Sequence, residues 1–319
     1  MALTFGVALD FGSRLRPLDQ QLERQAGLLR AAEDAGFELV VAGESSSAGS
    51  FHLPNALQVL AAISPRTRLR LCTGITLLPA WDVWKLALDA AQLDQLSGGR
   101  LILGVGIGSA ARREQAGWSA DAAGQTVDEY LLALRALWSG ATEYHGSQVH
   151  VDGRLPIQPA APQGPPIWVG GAIRRSAVRA ARYSQGWYGG VNFGLSALPR
   201  MVSWYRSALA AEGKAVTEGA VVVNRLALAA KTSTTVAEQT ERYLSESLRP
   251  YASANQSLPE VIDEIALVGT PDHVVAQSQR YHDVGVTHLF ARLSLDEMPI
   301  EVAEQTIDLY GRDVIPRLR

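Results

Sequence analysis

Apolar positions along this chain follow two spacings that alternate from one end to the other. Short continuous apolar runs are typical of buried strands, whereas apolar residues repeated every three to four positions are typical of amphipathic helices. The runs predict eight strands, at residues 4–9, 38–42, 69–77, 100–105, 167–170, 187–191, 221–230 and 287–293. The helical spacing predicts helices at residues 18–36, 53–63, 82–96, 126–138, 174–183, 197–211, 236–248, 258–265, 271–284 and 300–315.

This alternation predicts an α/β fold, a single (β/α)8 barrel of the TIM type that spans residues 1–319. A doubly wound open sheet shows the same alternation, because periodicity alone does not reveal whether a sheet closes. The count of eight strands and the absence of a break in composition favour the closed barrel. Residues 140–166 are rich in Gly and Pro, and a short hairpin is predicted around residues 143–151. We interpret this stretch as an insertion loop, since the alternation resumes after it.

The charge balance and the cysteine content narrow the class of protein. The 29 basic and 32 acidic residues give a net charge of −3. Without a basic tail or stripe, this balance argues against a nucleic-acid or membrane-surface partner. Cys72 is the only cysteine, which excludes an intrachain disulfide and a thiolate zinc site. The first residues lack the features of a signal peptide, and no apolar run reaches the ~18 residues of a membrane helix. We therefore expect a cytoplasmic protein.

One glycine-rich stretch, from residue 93 to residue 108, reads LDQLSGGRLILGVGIG and indicates a ligand site. A predicted helix ends in it, a Ser-Gly-Gly turn follows, and the next strand ends in Gly106 and Gly108. Backbone without side chains allows a large planar ligand or a phosphate to come close. The binding residues of α/β folds gather beyond the carboxyl ends of the strands, which is where these two glycines lie.

A second glycine turn follows the fifth predicted strand. Gly170, Gly171 and Ala172 lead into a predicted helix, and the exposed N–H groups and the dipole of a helix start favour an anion. Arg174 and Arg175 add positive charge. A tight turn between strand and helix, with arginines on the surface, is the other interpretation of the same residues.

These two stretches and three others resemble the bacterial luciferase-like superfamily. The others read FELVVAGE, LRLCTGITLLP and VGTPDHVVAQSQRYHDVGVTHLFARL, and the second glycine turn lies within PPIWVGGAIRRSAVRAARYSQGWYGG. The resemblance extends from Thr4 to about Arg317. The superfamily consists of flavin-dependent monooxygenases and deazaflavin (F420)-dependent oxidoreductases on a (β/α)8 barrel. It therefore implies that fold and a flavin-type cofactor for this chain.

The resemblance also implies where the cofactor binds. In relatives the third strand often carries a non-proline cis peptide on which the isoalloxazine ring leans, which implies ring contacts with Cys72, Thr73 and Gly74. The alternative for Cys72 is a small core thiol in an ordinary buried strand. The cofactor phosphate is implied at the turn after the fifth strand, with the hydroxyl of Ser176 as a candidate ligand. The bare backbone after the fourth strand would form part of the same face.

Candidates for catalysis and substrate binding are fewer. Many relatives carry an acidic residue followed by His after the second strand, but this chain has Glu44 and Ser45, which puts the usual role of that His in doubt. Glu44 either orients substrate or ring, or is a solvated loop carboxylate. Glu114 matches an acidic residue of relatives and acts near the ring or substrate or, as we favour, as a charge at a helix N-terminus. Arg292 is expected in the barrel mouth, facing substrate or an internal carboxylate, because an interior arginine needs an anionic partner.

The function implied by the resemblance is that of a flavin-dependent oxidoreductase. We favour a two-component monooxygenase that receives reduced FMN from a separate flavin reductase and acts on a small organic molecule. The loops at residues 43–52 and 140–166 are expected to cover the site and set substrate choice. The alternatives are hydride transfer with F420 and a non-catalytic flavin-binding barrel. A homodimer is expected, since members of the superfamily are often dimers.

No metal site is expected from the sequence. His145 and His150 are separated by four residues in the insertion, and no helix or nearby carboxylate cluster supports a site there. We interpret both as surface histidines.

Overall fold

The strands at the centre of the fold are parallel and buried on both faces, as their apolar runs predict. The computed structural model describes residues 2–45, 53, 55–119, 121–190, 193–251, 256–295 and 297–319. The strands are β1 (Thr4–Leu9), β2 (Leu39–Ala42), β3 (Arg70–Thr73), β4 (Thr76–Leu77), β5 (Leu101–Gly106), β6 (Glu143–His145), β7 (His150–Asp152), β8 (Ile167–Gly170), β9 (Gly186–Gly189), β10 (Ala220–Ala229), β11 (Ala266–Gly269) and β12 (His288–Ser294). All except the antiparallel pair β6 and β7 belong to one sheet.

Eight strands of that sheet close into a barrel. The hydrogen-bonded order is β1, β2, β3, β5, β8, β9, β10 and β12, and β12 pairs with β1 again. An open doubly wound sheet has two unpaired edges, whereas this ring has none, so the predicted (β/α)8 barrel is confirmed. The short strand β4 pairs with the end of β5, and β11 pairs with the second half of β10.

Helices surround the barrel and connect its strands. They are α1 (Leu18–Asp34), α2 (Ala56–Ile63), α3 (Val83–Leu96), α4 (Ala110–Gln115), α5 (Ala123–Trp138), α6 (Arg174–Tyr183), α7 (Leu198–Ala211), α8 (Ser233–Tyr243), α9 (Ser245–Leu248), α10 (Leu258–Ile265), α11 (Pro271–Asp283) and α12 (Ile300–Leu309). Within the described ranges, no helix combines the length and the apolar composition that crossing a bilayer requires.

Some predicted elements differ from the observed ones. The predicted strand 69–77 is divided into β3 and β4, and the peptide bond Gly74–Ile75 between them is cis, as the resemblance implies for this strand. The predicted helix 236–248 is two helices separated only by Leu244, whose apolar side chain continues the helical spacing. Strand β11 was not predicted, because it follows α10 without any turn residue between them. The closing helix ends at Leu309 and continues as a wider π turn.

The barrel interior is filled by side chains from all eight barrel strands. They are Ala8, Leu39, Val41, Cys72, Ile102, Trp168, Tyr188, Val222 and Phe290. The rings of Tyr188 and Phe290 stack with their centroids 6.0 Å apart. A larger apolar cluster lies between the strands and the helices. The filled interior makes the barrel a packed core rather than a pore, with room for a ligand at the strand ends.

The insertion at residues 140–166 packs along α3 and α5, and its second half contacts the end of α3. The Gln95 side-chain amide donates to the Gln158 carbonyl at 3.0 Å, and the Ala160 N–H donates to the Asp94 carboxylate at 2.9 Å. Asp94 and Gln95 lie in the last turn of α3, which is adjacent to the start of β5. Residues 158–160 therefore lie away from the carboxyl ends of the strands, and the expectation that the loop covers a site there stays a prediction.

The predicted hairpin within the insertion is confirmed as β6 and β7, and its turn is held by one carboxylate. Glu129 on α5 accepts hydrogen bonds from the N–H groups of Gln148 at 2.7 Å, Val149 at 2.9 Å and Ser147 at 3.2 Å. The Ser147 hydroxyl donates to it as well, at 2.8 Å. Burial acts to raise the pKa of Glu129, but the hydrogen bonds outweigh burial and lower the pKa below its ordinary value.

Replacing Glu129 with Gln is expected to lower the free energy of unfolding by about 1–3 kcal/mol at neutral pH, because an amide cannot accept all four bonds. A carboxylate with a lowered pKa stabilises the fold fully above the ordinary glutamate pKa of 4.5, and that stabilisation is lost as the pH falls through the lowered value. Urea denaturation of wild type and variant, at pH values from neutral to well below 4.5, measures the difference between their free energies of unfolding. A difference that does not shrink at low pH would contradict the assignment.

Candidate active site

A cavity of about 340 Å³ lies at the carboxyl ends of the barrel strands. This volume falls within the range of about 300–1,000 Å³ that is typical of small-molecule sites. The lining residues are Gly74, Ile75, Leu77, Ile107, Gly108, Gly170, Gly171, Ala172, Tyr188, Gly190, Phe193, Asn224 and Arg292. Five of them are glycines, so backbone forms much of the wall, and most of the remaining side chains are apolar.

The third barrel strand reaches this cavity only at its end. Gly74 and Ile75 line the wall, whereas Cys72 and Thr73 do not. The Cys72 thiol is fully buried in the barrel interior, burial raises its pKa, and it donates to the Thr73 carbonyl at 3.4 Å. The Thr73 hydroxyl donates to the Gly104 carbonyl at 2.7 Å. The core-thiol interpretation of Cys72 therefore describes its position.

Gly106 ends the fourth barrel strand and Gly108 follows it, and the two glycines have different surroundings. A Cβ atom on Gly106 would lie 2.1 Å from the Ile75 Cδ1 atom, so this glycine makes room for a protein side chain and does not line the cavity. Gly108 lines the cavity and has a φ of +69°, a conformation that glycine adopts without strain. Of the predicted pair, only Gly108 faces the space for a ligand.

The turn after β8 brings three predicted residues to the cavity and turns the fourth away. Gly170, Gly171 and Ala172 line the wall beside the N-terminus of α6. The Ser176 hydroxyl accepts from the Ile173 N–H at 3.2 Å and donates to the Ile173 carbonyl at 2.6 Å. This hydroxyl therefore caps its own helix and does not line the cavity, whose wall here is backbone of the turn that precedes α6.

Two buried polar atoms on the cavity wall form no hydrogen bond of normal geometry within the described part of the chain: the Tyr188 hydroxyl and the Asn224 amide oxygen. Burial raises the pKa of Tyr188 well above its ordinary value, although the neighbouring Asn224 side chain lowers it slightly. The hydroxyl therefore stays neutral and can donate. Buried polar atoms are normally hydrogen-bonded, so this pair is suited to a ligand with polar edges.

Arg292 lines the cavity and forms a bidentate ion pair with Asp10. Its Nε atom donates to Asp10 at 3.0 Å and its Nη2 atom at 2.7 Å. Asp10 is 1% exposed, and its carbonyl accepts from the side chains of Gln21 and Gln25. Burial lowers the pKa of Arg292, but the Asp10 carboxylate outweighs burial and raises it. Asp10 is thus the internal carboxylate expected as one partner of Arg292.

The sequence matches the family model of luciferase-like monooxygenases over residues 3–288. The chain belongs to the luciferase-like monooxygenase family. The expected fold and enzyme class are thus confirmed: this chain is an oxidoreductase of the luciferase-like type.

Individual relatives agree with this assignment. The oxygenase component of the flavin-dependent trigonelline monooxygenase of Acinetobacter baylyi is 33% identical, over 48% of this chain and 46% of that protein; the match thus spans about half of that relative. The 4-hydroxyprotoasukamycin monooxygenase of Streptomyces nodosus is 27% identical over 99% of this chain and 92% of that protein. The crystal structure of the monooxygenase RslO1 from Streptomyces bottropensis superposes with a TM-score of 0.89 at 26% identity, covering 99% and 100% of the two chains.

Glu44 of this luciferase-like chain is buried rather than a solvated loop carboxylate. It accepts from the N–H groups of Ala56 at 3.2 Å and Leu77 at 2.9 Å, and from the Trp81 indole at 3.2 Å. Burial raises its pKa, and these hydrogen bonds act in the opposite direction. Glu44 therefore joins α2, β4 and the turn that precedes α3.

A second, smaller cavity of about 270 Å³ lies beside Glu44, and both Glu44 and Ser45 line it. Leu77 lines this cavity and the larger one. The hydrogen bond from the Leu77 N–H to Glu44 therefore holds a wall that the two cavities share. Of the loop expected at residues 43–52, residues 46–52 lie outside the described residues.

Glu114 does not reach either cavity. It is exposed and lies near the C-terminus of the short helix α4. The favoured interpretation, a charge at a helix N-terminus, is therefore wrong, because Glu114 lies near the other end of α4, a helix that the sequence pattern did not predict.

A buried arginine that was not among the predicted site residues lies behind the cavity. Arg225 is fully buried and donates to the carbonyls of Asn224 and Phe193, both at 2.8 Å, and to the Tyr281 hydroxyl at 2.8 Å. Its Nη1 atom also faces the Gly190 carbonyl at 3.4 Å. Arg225 thereby positions backbone of the cavity wall. The signal was a lone charge within the run VVVNRLALA, in which Asn224 is the only other polar residue.

Proposed function

We propose that this chain is the oxygenase component of a two-component monooxygenase, which binds reduced FMN in the larger cavity and acts on a small organic molecule. One observation carries the proposal: a backbone-lined cavity at the carboxyl ends of the strands meets the N-terminus of α6. The Acinetobacter baylyi relative is named as an oxygenase component, which supports the need for a separate flavin reductase.

The residues present fit such a cofactor. A flat ring requires a wall without protruding side chains, and Gly74, Gly108 and Gly190 supply one. The phosphate would be held by backbone N–H groups at the start of α6, next to Gly171 and Ala172, since the first turn of a helix has N–H groups without intrahelical acceptors. In this proposal Ser176 supports the phosphate site through its helix cap instead of as a direct ligand.

When bound, reduced FMN supplies the two electrons with which one atom of dioxygen enters the substrate and the other leaves as water. The chain's own residues would position the cofactor and shield the cavity from water. The Tyr188 hydroxyl and the Asn224 amide would contact the polar edges of the ring, and Ile75, Ile107 and Phe193 keep water from the cavity. Glu44 acts as a positioning residue, because its carboxylate already accepts three hydrogen bonds.

Titration of the purified chain with chemically reduced FMN and, separately, with F420 tests the proposal. Reduced FMN is expected to bind at least ~10-fold more tightly than F420, a difference of about 1.4 kcal/mol. Fluorescence and tryptophan quenching under anaerobic conditions report both affinities. Tight F420 binding without a response to FMN would replace the proposal with F420-dependent hydride transfer. FMN binding without product from any candidate substrate would favour a non-catalytic flavin-binding barrel.

A further inference from the structure

The hairpin of β6 and β7 carries four metal-ligating side chains on one face. In its register Glu143 pairs with Asp152 and His145 pairs with His150. Side chains alternate between the two faces of a strand, so these four share a face. The pair between them, Tyr144 and Val151, points the other way, with Val151 buried in the main core.

The ladder brings each of these pairs close together. The Gly146 N–H donates to the Val149 carbonyl, and the Gly153 N–H donates to the Thr142 carbonyl, both at 2.8 Å. Hydrogen-bonded and non-hydrogen-bonded pairs alternate along an antiparallel ladder. The pairs Glu143–Asp152 and His145–His150 are therefore both non-hydrogen-bonded pairs. In such pairs the Cα atoms are only about 4.5 Å apart and the side chains are closest.

Three of the four ligand side chains already converge. One ligand atom each from Glu143, His145 and Asp152 lies within 4.8 Å of the other two, and the His145 Nε2 atom is 2.8 Å from the Asp152 Oδ1 atom. The rings of His145 and His150 have centroids 5.8 Å apart. All four side chains are exposed and free to rotate, and the proposed site requires the His150 ring to turn toward the other three.

We propose that Glu143, His145, His150 and Asp152 bind one divalent cation of a late first-row transition metal, such as Zn²⁺. Two imidazoles and two carboxylates provide four ligands, the coordination number that Zn²⁺ prefers in proteins. Imidazole nitrogen selects zinc, copper or nickel over magnesium and calcium. The two carboxylates also neutralise the charge of the ion.

The scaffold of this site is held before any ion binds. Glu129 holds the turn of the hairpin by accepting from three N–H groups. At the other end, the Trp84 indole donates to the Gly153 carbonyl at 3.0 Å. Ligands on a formed ladder lose less conformational freedom on binding than ligands on a mobile loop. The site is separate from the flavin cavity, since none of its four residues lines that cavity.

Isothermal titration with Zn²⁺ tests the site, using the full chain without a histidine tag and after treatment with EDTA. Wild type is expected to bind one ion per chain, and the double variant His145→Ala/His150→Ala at least ~10-fold more weakly. The matched control His273→Ala/His282→Ala removes two histidines from α11 and should bind as wild type does. Equal affinity and stoichiometry for wild type and the hairpin variant would overturn the proposal.

A second variant and a spectrum keep the test independent of folding. Glu143→Gln/Asp152→Asn preserves side-chain shape and should also weaken binding, while thermal unfolding in EDTA stays unchanged because all four positions are exposed. Co²⁺ in place of Zn²⁺ should give the intense visible absorption of a tetrahedral site with wild type and lose it with either hairpin variant. The six-ligand spectrum of loosely bound Co²⁺ with wild type would contradict the proposed ligand set.

Discussion

Asp10→Ala is expected to lower the free energy of unfolding by about 3–5 kcal/mol, because it leaves the Arg292 guanidinium at the cavity wall without its carboxylate partner. Both side chains are largely buried: Asp10 is 1% exposed and Arg292 17%. The two hydrogen bonds between them, at 3.0 and 2.7 Å, disappear together. Urea denaturation followed by tryptophan fluorescence measures the loss.

The double variant Asp10→Ala/Arg292→Met separates a broken ion pair from a general packing defect. Removing both charges avoids a buried unpaired cation, and a hydrophobic replacement of such a pair is often close to neutral. We therefore expect the double variant to be more stable than Asp10→Ala alone. A double variant as unstable as the single one would show that Asp10 acts through packing and not through its charge.

Ala172→Glu is expected to weaken FMN binding by at least ~10-fold, because two like charges about 5 Å apart at a protein surface repel by about 3 kcal/mol. Ala172 lines the larger cavity beside the start of α6, where the proposed function places the phosphate. The new carboxylate does not weaken the helix, since a negative charge near a helix N-terminus is favourable. A flavin titration at constant ionic strength measures the affinity.

The control for this variant is Ala172→Gln, which adds nearly the same volume without the charge. Ala172→Gln should therefore lose much less affinity for FMN than Ala172→Glu. Riboflavin, which lacks the phosphate, should bind the two variants equally. If riboflavin binding distinguishes the variants as strongly as FMN binding does, the phosphate does not lie at this turn.

Local sequence patterns predicted the barrel well because hydrophobic spacing is a property of neighbouring residues. Strand β1, strand β8 and helix α6 begin and end at the residues predicted. Prediction failed where two elements meet without a turn, as at α10 and β11, and where one apolar residue continues the helical spacing through a break, as at Leu244. At Leu244 the apolar spacing is the same on either side of the break, and after α10 no turn residue marks the start of a strand.

The sequence predicted the turns of the candidate site but not the directions of its side chains. Backbone at Gly108 and Gly170 lies where the glycine pattern indicates, because a strand end is set by local sequence, and Gly74 lies where the resemblance implies. The direction of a hydroxyl depends on what packs around it: Ser176 caps its own helix, and Thr73 donates to a neighbouring strand. No spacing in the sequence contains that information.

The sequence by itself determined a (β/α)8 barrel of the luciferase-like family, with glycine turns after the fourth and fifth barrel strands. Only the tertiary structure decided which groups meet across long separations in the chain. It paired Arg292 with Asp10 and placed Ile75 against Gly106. Strand register did the same within the hairpin by setting carboxylates beside two histidines. The physical reason is that spacing along a chain fixes which face a residue occupies, whereas its partners are set by the packing of distant elements.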